Sequence, residues 1–364
     1  LWMVTVLTTL TVLLFLGCGT SLISAYLKGD GSANSIAATL FHGERYLRIM
    51  LMGLPAFAVV QIYSSTLREC GQTMLPMKAG LAAVVVNLLF NYILIYGKFG
   101  APALGVSGAA AATVLSRYVE MLIIVIGVHR KSHGEHAPYS FVTGLYSTLK
   151  VPKELTLKIV QKGSPLLFNE TLWAAGMAML TQCYSVRGLN VVAGLNVSNT
   201  INNVFNIVFI ALGDSVAIIV GQLLGAGKMK EARDTDNKLI AFSVMCCTCV
   251  ALVMFLMAPL FPRLYKINDE ARMLAKYFIM VTAFFMPQNA FLHATYFTLR
   301  SGGKTIITFL FDSVFIWCVS VAIAFTLSRY TGLPVIAVYA MVQLGDIIKC
   351  VIGFILVKKG VWLQ

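Results

Sequence analysis

Charged residues are scarce in this chain of 364 residues. They make up 12% of it, about half the share that is usual in a soluble globular domain. Hydrophobic residues make up 58%, and the mean hydropathy is +0.81. So few charges leave too little polar surface to cover a fold of this size in water. The composition therefore excludes an ordinary soluble domain and predicts an all-helical integral membrane protein that crosses the bilayer several times.

Signatures of enzymatic chemistry are also lacking. The sequence contains no GxSxG and no HExxH motif. The run GAGK at 225–228 is not a Walker A loop, because position 222 holds no glycine and no Ser or Thr follows Lys228. The histidines His129, His133 and His136 lack a fourth ligand for a zinc site. We therefore expect no catalytic residue, no bound metal, no cofactor and no hydrolysis of ATP.

What the chain does contain is an internal repeat. Residues 66–73 read TLRECGQT and residues 298–305 read TLRSGGKT. The same constant spacing aligns further positions on both sides, namely Pro55 with Pro287, Gly100 with Gly332, Pro102 with Pro334 and Arg117 with Lys349. A long repeat in a hydrophobic chain predicts two similar halves, and such halves are typical of membrane transporters.

Ten apolar stretches are each long enough to cross a bilayer. They lie at 3–25, 46–69, 77–97, 103–128, 158–185, 195–223, 238–262, 272–299, 305–328 and 333–357. Four belong to the first half and six to the second. We therefore interpret the sequence as truncated at its N-terminus by about 75 residues, enough for two further helices.

The spans predict an organisation in two lobes. The N-terminal lobe covers 1–128 and holds four of six helices, a cytoplasmic linker covers 129–157, and the C-terminal lobe covers 158–364 with six helices. Because an even number of helices separates equivalent positions, the lobes are predicted to be parallel repeats related by a pseudo-two-fold axis along the membrane normal.

The formal net charge of +13 predicts an orientation rather than nucleic-acid binding. Lys and Arg concentrate in His129–Lys162 and Lys228–Lys238. Since basic residues are enriched in cytoplasmic loops, both segments are predicted to lie inside the cell. We expect a multi-pass protein of the cell membrane, monomeric, with both termini in the cytoplasm.

Glu170 is the first candidate for a binding residue. It lies early in an apolar stretch, in the run GSPLLFNETLW at 163–173. A carboxylate near the bilayer centre costs about 2.5–3.5 kcal/mol, so such residues usually have a function. Pro165 loosens the backbone just before it. We predict that Glu170 binds a cation or substrate, and the alternative is an interfacial position where it pairs with a basic neighbour.

Four further polar groups are candidates. Asp312 is a second membrane carboxylate, for which ion binding and structural hydrogen bonding are both open. Asn87 and Asn91 are four residues apart and share a helix face, and Thr113 on the next helix offers another oxygen. Such oxygens suit a hard cation, while hydrogen bonding between helices is the alternative.

Other polar residues of the spans receive weaker predictions. The asparagines at 202, 203 and 206 form a cluster that lines a water-filled cavity or joins helices; we name Asn202, Asn206 and Trp173 as cavity-lining candidates. Asp214, Asp346 and Lys349 are placed near cytoplasmic helix ends and interpreted as structural. Arg117 and Glu120, three residues apart, are expected to pair on one helix face.

Several motifs together resemble one known family. They are the two TLRxxGxT octapeptides, QLLGAGK at 222–228 followed by EAR at 231–233, FNETLW at 168–173, and GAPALGVSGAAAATVLSR at 100–117. In this order and spacing they resemble the multidrug and toxic compound extrusion (MATE) family over nearly the whole chain. The resemblance implies twelve helices in two six-helix lobes. It also implies a central cavity open to one side at a time, and efflux of organic, often cationic compounds driven by Na⁺ or H⁺.

The resemblance also implies roles for particular residues. Glu170 matches the membrane glutamate of the family's seventh helix, which one branch pairs with an aspartate on the tenth helix; the matching position here holds Asn289. Another branch uses an aspartate on the first helix with polar residues on the fifth and sixth, where Asn87, Asn91 and Thr113 stand. The implied partners are a small organic molecule and a monovalent cation.

Rival functions make different demands on the sequence. A lipid-linked oligosaccharide flippase of the same superfamily requires several Arg or Lys residues in its cavity, and Arg117 is the one clear basic residue in mid-span. A membrane-embedded enzyme requires converging catalytic residues, and the sequence shows none. A receptor or sensor does not require two six-helix halves. The sequence therefore favours an exporter coupled to Na⁺ or H⁺.

Overall fold

The computed structural model describes residues 2–26, 33–130 and 152–363. Within these ranges the chain is helical and contains no β-strand. The long helices are α1 (Trp2–Tyr26), α2 (Ala33–Glu69), α3 (Met74–Tyr96), α4 (Val106–Arg130), α5 (Lys153–Ser185), α6 (Leu189–Gly225), α7 (Met229–Met257), α8 (Asp269–Ser301) and α11 (Val335–Lys359). Most of the predicted linker 129–157 lies outside the described residues.

One further span is composite. It begins with α9 (Thr305–Phe309), continues through two π-helical segments (Leu310–Val314 and Ile316–Val321) and ends with α10 (Ala322–Tyr330). We call residues 305–330 the α9–α10 span. A π turn has an i→i+5 hydrogen bond, is rare, and is frequent at functional sites.

The helices coincide with the ten predicted apolar stretches. In the described part of the chain, eight helices are long and apolar enough to cross a membrane by length and composition. The two other long helices, α5 and α8, have 33 residues each but carry more polar side chains. Both contain an internal proline, Pro165 and Pro287 respectively, and both contribute to the polar cluster described below.

The chain divides into two compact units, residues 1–151 and 152–364. In the first unit α2 packs on α1 and α4, and α3 packs on α4. The small residues Ala79, Ala110 and Ala112 are fully buried, which lets these helices approach closely. Gly108 of α4 lies directly against the backbone of Leu94 in α3.

In the second unit α8 is the central helix. It packs on α6, α7, α9 and α11, and α5 packs on the α9–α10 span. Apolar residues such as Phe278, Met286 and Leu299 of α8 are almost fully buried. The buried polar residues of α8, namely Thr282, Thr295 and Thr298, face other helices, where they require partners.

The repeated octapeptides form the same turn. Gly71 and Gly303 both have positive φ, 75° and 69°. Their N–H groups donate to the carbonyls of Arg68 at 2.9 Å and Arg300 at 3.0 Å. A positive φ is readily adopted only by glycine, which explains why Gly recurs at this point of the repeat. The repeat also orders the helices, because α1 to α4 correspond to α7, α8, the α9–α10 span and α11.

Candidate functional site

The two predicted carboxylates of the second unit, Glu170 and Asp312, belong to one polar cluster. Helix α5 contributes Asn169 and Glu170, α8 contributes Tyr296 and Arg300, the first π segment contributes Asp312 and Ser313, and α11 contributes Lys349. We call these seven residues the α5–α11 cluster. Hydrogen bonds and ion pairs join its members across four helices.

An ion pair lies at one end of the cluster. The Nζ atom of Lys349 is 2.8 Å from Oδ1 of Asp312. The side chains are 11% and 17% exposed, so both charges are largely removed from solvent. The ammonium also lies 5.0 Å from the ring centroid of Phe311, in cation–π range. Asp312 therefore already holds a cation, supplied by the protein itself.

Asn169 links this ion pair to the rest of the cluster. Its side chain is 1% exposed. Its Nδ2 donates to Oδ2 of Asp312 at 3.4 Å and to the hydroxyl of Tyr296 at 3.2 Å. Its Oδ1 accepts a hydrogen bond of 2.8 Å from Ser313, whose hydroxyl also reaches the Asn169 carbonyl at 2.7 Å. These bonds fix the amide orientation.

Glu170 lies at the open end. Its Oε1 accepts a weak hydrogen bond from the Tyr296 hydroxyl at 3.5 Å and is 3.7 Å from Nη1 of Arg300. The Glu170 side chain is 57% exposed. The alternative considered from the sequence, a glutamate paired with a basic neighbour, thus has a structural counterpart in Arg300. The pair is longer and more open than Lys349–Asp312, so Glu170 is the more accessible carboxylate.

The π segments hold the α9–α10 span against α5. Nε1 of Trp317 donates to the carbonyl of Leu172 at 3.0 Å. Gly176 of α5 provides the space into which Ile316 packs. The π segment that carries Asp312 lies between these contacts and the hydrogen bonds from Ser313, and it places Asp312 next to Asn169. The local backbone irregularity thus falls at the residues that form the polar cluster.

The first unit contains a smaller, uncharged cluster. Nδ2 of Asn91 donates to Oδ1 of Asn87 at 2.9 Å, and Nδ2 of Asn87 donates to the hydroxyl of Thr113 at 3.3 Å. The structure therefore brings the three predicted residues together. Oδ1 of Asn91 is buried and has no hydrogen-bond partner among the described residues. An unpaired buried oxygen is costly unless a ligand, water or ion satisfies it.

Arg117 and Glu120 also lie in the first unit, on α4. Nη1 of Arg117 is 2.8 Å from Oε2 of Glu120. The guanidinium carbon is 5.4 Å from the ring centroid of Phe57 on α2. The expected pairing on one helix face is thus present in the structure, and it neutralises the mid-span basic residue.

The remaining predicted residues lie outside both clusters. Asn202 is buried and its Nδ2 donates to Ser198 and Thr282, each at 3.3 Å. Asn206 and Asn289 are half-buried, and Trp173 is exposed. These residues do not share hydrogen bonds with Glu170 or Asp312 in the described part of the chain.

Several members of the α5–α11 cluster were not singled out from the sequence. Asn169 and Tyr296 look ordinary there, and Lys349 was placed near a helix end. The structure corrects that placement for Lys349 and for Asp346, because α11 runs from Val335 to Lys359 and both residues lie well inside it. The signal available was the repeat, which aligns Lys349 with the mid-span Arg117.

A second missed residue is Asp236, which is fully buried. Its Oδ1 accepts a hydrogen bond of 2.6 Å from Thr298, a residue of the repeated octapeptide. Thr298 also reaches the carbonyl of Ala294 on its own helix, as the equivalent threonine of the first half, Thr66, reaches that of Ile62. Nothing in the sequence distinguishes Asp236, because it stands in the polar run that precedes an apolar stretch.

A duplicated bundle of long apolar helices, with paired charges held between the helices, defines a polytopic membrane transporter. Comparison with known proteins identifies the family. The MatE family model matches residues 1–93 and 165–326, and the chain belongs to this family of multidrug and toxic compound extrusion transporters. Members of the family are transporters, so the chain is a transporter and not an enzyme. The family resemblance and the all-helical membrane fold predicted from the sequence are confirmed.

Curated relatives and solved structures agree with this assignment. The chain is 24% identical to the probable multidrug resistance protein YoeA of Bacillus subtilis, with 91% of this chain and 71% of that protein covered. It is 25% identical to the probable multidrug resistance protein NorM of Thermotoga maritima, with coverages of 94% and 70%.

Two solved structures of a multidrug resistance MATE family transporter of the MOP superfamily share the fold. The outward-facing conformation matches with a TM-score of 0.79 at 18% identity, covering 98% of this chain and 76% of that chain. The inward-facing conformation matches with a TM-score of 0.71 at 17% identity, covering 98% and 78%. The fold is therefore one in which transport by alternating access has structural precedent.

Proposed function

We propose that this protein exports small organic, often cationic compounds across the cell membrane in exchange for Na⁺ or H⁺, by alternating access. Family membership supports export, since the relatives YoeA and NorM are described as probable multidrug resistance proteins. The existence of inward- and outward-facing structures with this fold supports alternation of the cavity between the two sides. We expect a monomer with both termini in the cytoplasm, as the loop charges suggest.

The observation that carries the proposal is the different state of the two carboxylates in the α5–α11 cluster. Asp312 holds Lys349 at 2.8 Å and is shielded, whereas Glu170 is exposed and 3.7 Å from Arg300. A cation that approaches the cluster therefore finds Glu170 first, and it competes there with the guanidinium of Arg300, which also lies 5.8 Å from the ring centroid of Phe297. Glu170 is the proposed exchange site for coupling ion and cationic cargo.

The charge balance of the cluster provides a reason for exchange. Glu170 and Asp312 carry two negative charges, and Arg300 and Lys349 carry two positive ones. A cation or proton that occupies Glu170 neutralises the exposed carboxylate of the cluster, so little charge remains there to hold a second cation. Ion and cationic cargo therefore exclude each other, and this competition couples ion entry to cargo exit.

Tyr296 connects the exchange site with the buried ion pair. Its hydroxyl accepts from Asn169 and donates to Glu170. When Glu170 is occupied by a cation or proton, it is a weaker acceptor, and the phenol hydrogen bond weakens with it. The hydrogen bond from Asn169 to the Tyr296 hydroxyl then changes in strength, and so does the bond from Asn169 to Asp312, the partner of Lys349. The cluster thereby transmits occupancy of Glu170 to α8 and to the α9–α10 span.

The basic residues argue against a large anionic cargo. Arg117 is paired with Glu120 at 2.8 Å, and Lys349 is paired with Asp312 at the same distance. A transporter for lipid-linked sugar phosphates requires cations that are free to meet the phosphates. Arg117 and Lys349, which the repeat aligns with each other, are therefore already neutralised, which favours neutral or cationic cargo.

The proposal is tested with the full-length protein reconstituted into liposomes loaded with a fluorescent organic cation. Imposing a Na⁺ or pH gradient should accelerate release of the dye well above the rate in vesicles without an imposed gradient, and without ATP. Vesicles with dissipated gradients and protein-free liposomes provide the controls. Transport that persists after both gradients are collapsed and that requires ATP would reject the proposed energy source.

A further inference from the structure

A groove on the second unit is lined by α7, α8 and α11 and plays no part in the polar clusters. Its volume is about 650 Å³. The wall is apolar and includes Val244 and Met245 of α7, Phe291 of α8 and Phe354 of α11. Met245 is 60% exposed and Phe354 is 56% exposed. An apolar wall this open, on helices that cross a membrane, is suited to hydrocarbon chains.

The groove is basic at the end where α7 begins and α11 ends. Arg233 lies near the start of α7 and Lys358 lies in the last turn of α11, so both are at the same end of their antiparallel helices. Nη2 of Arg233 donates to the carbonyl of Lys358 at 2.7 Å, which ties the two helix ends together. Nζ of Lys358 lies 5.7 Å from the ring centroid of Phe354. The two cations therefore stand directly above the apolar wall.

Nearby carboxylates do not neutralise these cations. Glu231 pairs with Lys228 at 3.0 Å, and Asp234 pairs with Lys238 at 3.3 Å. Within the described ranges, neither Arg233 nor Lys358 has a carboxylate within salt-bridge distance. Asn237, one turn along α7 from Arg233, adds an amide donor to the groove lining. The rim thus offers two positive charges and a polar group to an anion.

We propose that this groove binds an anionic phospholipid, with the phosphate at Arg233 and Lys358 and an acyl chain along the wall formed by Val244, Met245, Phe291 and Phe354. The order of chemistry along the groove matches that of a lipid, since the charged end meets the helix termini and the apolar end points toward the helix middles. Basic pockets between transmembrane helices near a membrane surface are a recognised arrangement for acidic head groups.

The bound lipid would act as a non-covalent clamp. Arg233 already joins α7 to the end of α11 through one hydrogen bond. A phosphate held by both cations adds a second link between the same two helices. The clamp does not depend on which ion or cargo is transported, so the inference stands apart from the proposed coupling at Glu170.

The experiment uses the full-length protein in mild detergent, with dioleoyl phosphatidylglycerol and dioleoyl phosphatidylcholine as probes in native mass spectrometry. Each basic residue near an anionic head group contributes about a fivefold preference, so two residues give roughly a twenty-five-fold preference for phosphatidylglycerol. Arg233→Gln combined with Lys358→Gln should remove most of this preference. The single variant Arg233→Lys keeps both positive charges and should retain most of the preference for phosphatidylglycerol.

Two further variants separate the groove from the general surface. Lys158→Gln removes an exposed cation from α5, outside the groove, and should leave the preference unchanged. Ala241→Phe fills the groove without changing a charge and should lower phosphatidylglycerol occupancy severalfold. Equal retention of both lipids by the parent protein would overturn the proposal, as would an unchanged preference in the double variant. Displacement of phosphatidylglycerol by millimolar inorganic phosphate would also overturn it, because the acyl wall would then contribute nothing.

Discussion

The ammonium of Lys349 lies 2.8 Å from a carboxylate oxygen of Asp312, between two transmembrane helices of the second unit. Both side chains are largely shielded from solvent. An unpaired charge in such a place is far less stable than a paired one. The pair therefore fixes the relative position of α11 and the α9–α10 span, and it keeps Asp312 from acting as a freely available cation site.

Removing one member of this ion pair should destabilise the protein more than removing both members. Lys349→Met or Asp312→Asn alone leaves the other member of the pair without its partner, with an expected cost of about 3–5 kcal/mol. The double variant removes both charges of the pair and should recover most of the loss. Thermal unfolding midpoints in detergent measure the cycle. If the losses of the single variants simply add in the double variant, the two residues do not interact as described.

Glu170→Gln should abolish most of the ion-dependent export while leaving membrane insertion intact. The amide keeps the size of the side chain and can still accept from Tyr296, but it removes the charge that a cation requires. Asp214→Asn on α6 is the matched control and should have little effect. Dye transport in reconstituted vesicles checks both variants. Export at the parent rate and with the parent ion dependence would make Glu170 structural and direct attention to Asn87 and Asn91.

Arg300→Gln should make Glu170 easier for a cation to occupy. The guanidinium is 3.7 Å from Oε1 and competes for the same carboxylate. An exposed pair of this kind contributes at most about 1 kcal/mol, so the half-saturating ion concentration should fall by up to about fivefold. Arg300→Lys keeps the charge and serves as the control. A half-saturating concentration that rises in Arg300→Gln would contradict the competition.

Gly108→Ala should destabilise the first unit. A Cβ at this position of α4 would stand 2.5 Å from the carbonyl oxygen of Leu94, which is closer than real contacts allow. Separating α3 from α4 to relieve the clash should cost about 1–3 kcal/mol. Gly221→Ala on α6 meets no atom within 4 Å and should be neutral or slightly stabilising. Thermal unfolding midpoints of the two variants check this prediction. Equal midpoints would contradict the close contact between Gly108 and Leu94.

The sequence predicted the helices well because hydrophobic length is a strong local signal. Each apolar stretch corresponds to a helix, and Gly71 and Gly303 end the repeat turns as the octapeptides indicate. The polar runs before the stretches were harder to place. Helix α7 begins at Met229, earlier than the apolar stretch at 238, so buried Asp236 lies within a helix that the hydrophobic signal does not reach.

The site was predicted only in part, because side-chain partners depend on tertiary contacts. Charge in an apolar stretch identified Glu170 and Asp312, and a shared helix face identified Asn87 and Asn91. Nothing local distinguishes Asn169 from its neighbours, since its partners lie more than a hundred positions away in the chain.

The repeat preserves a basic residue at Arg117 and Lys349, but the two halves supply its counter-charge differently. Arg117 uses Glu120 of its own helix, and Gly80 of α3, the equivalent of Asp312, lies opposite that carboxylate, 3.8 Å from where its Cβ would stand. The acid has in effect moved from one helix to another. The first pair therefore adds no charge contact between α3 and α4, which are held by close packing and by the Asn87–Thr113 hydrogen bond, while the second pair links two helices directly. After duplication, one half thus keeps its ion pair within a helix and the other half uses it between helices.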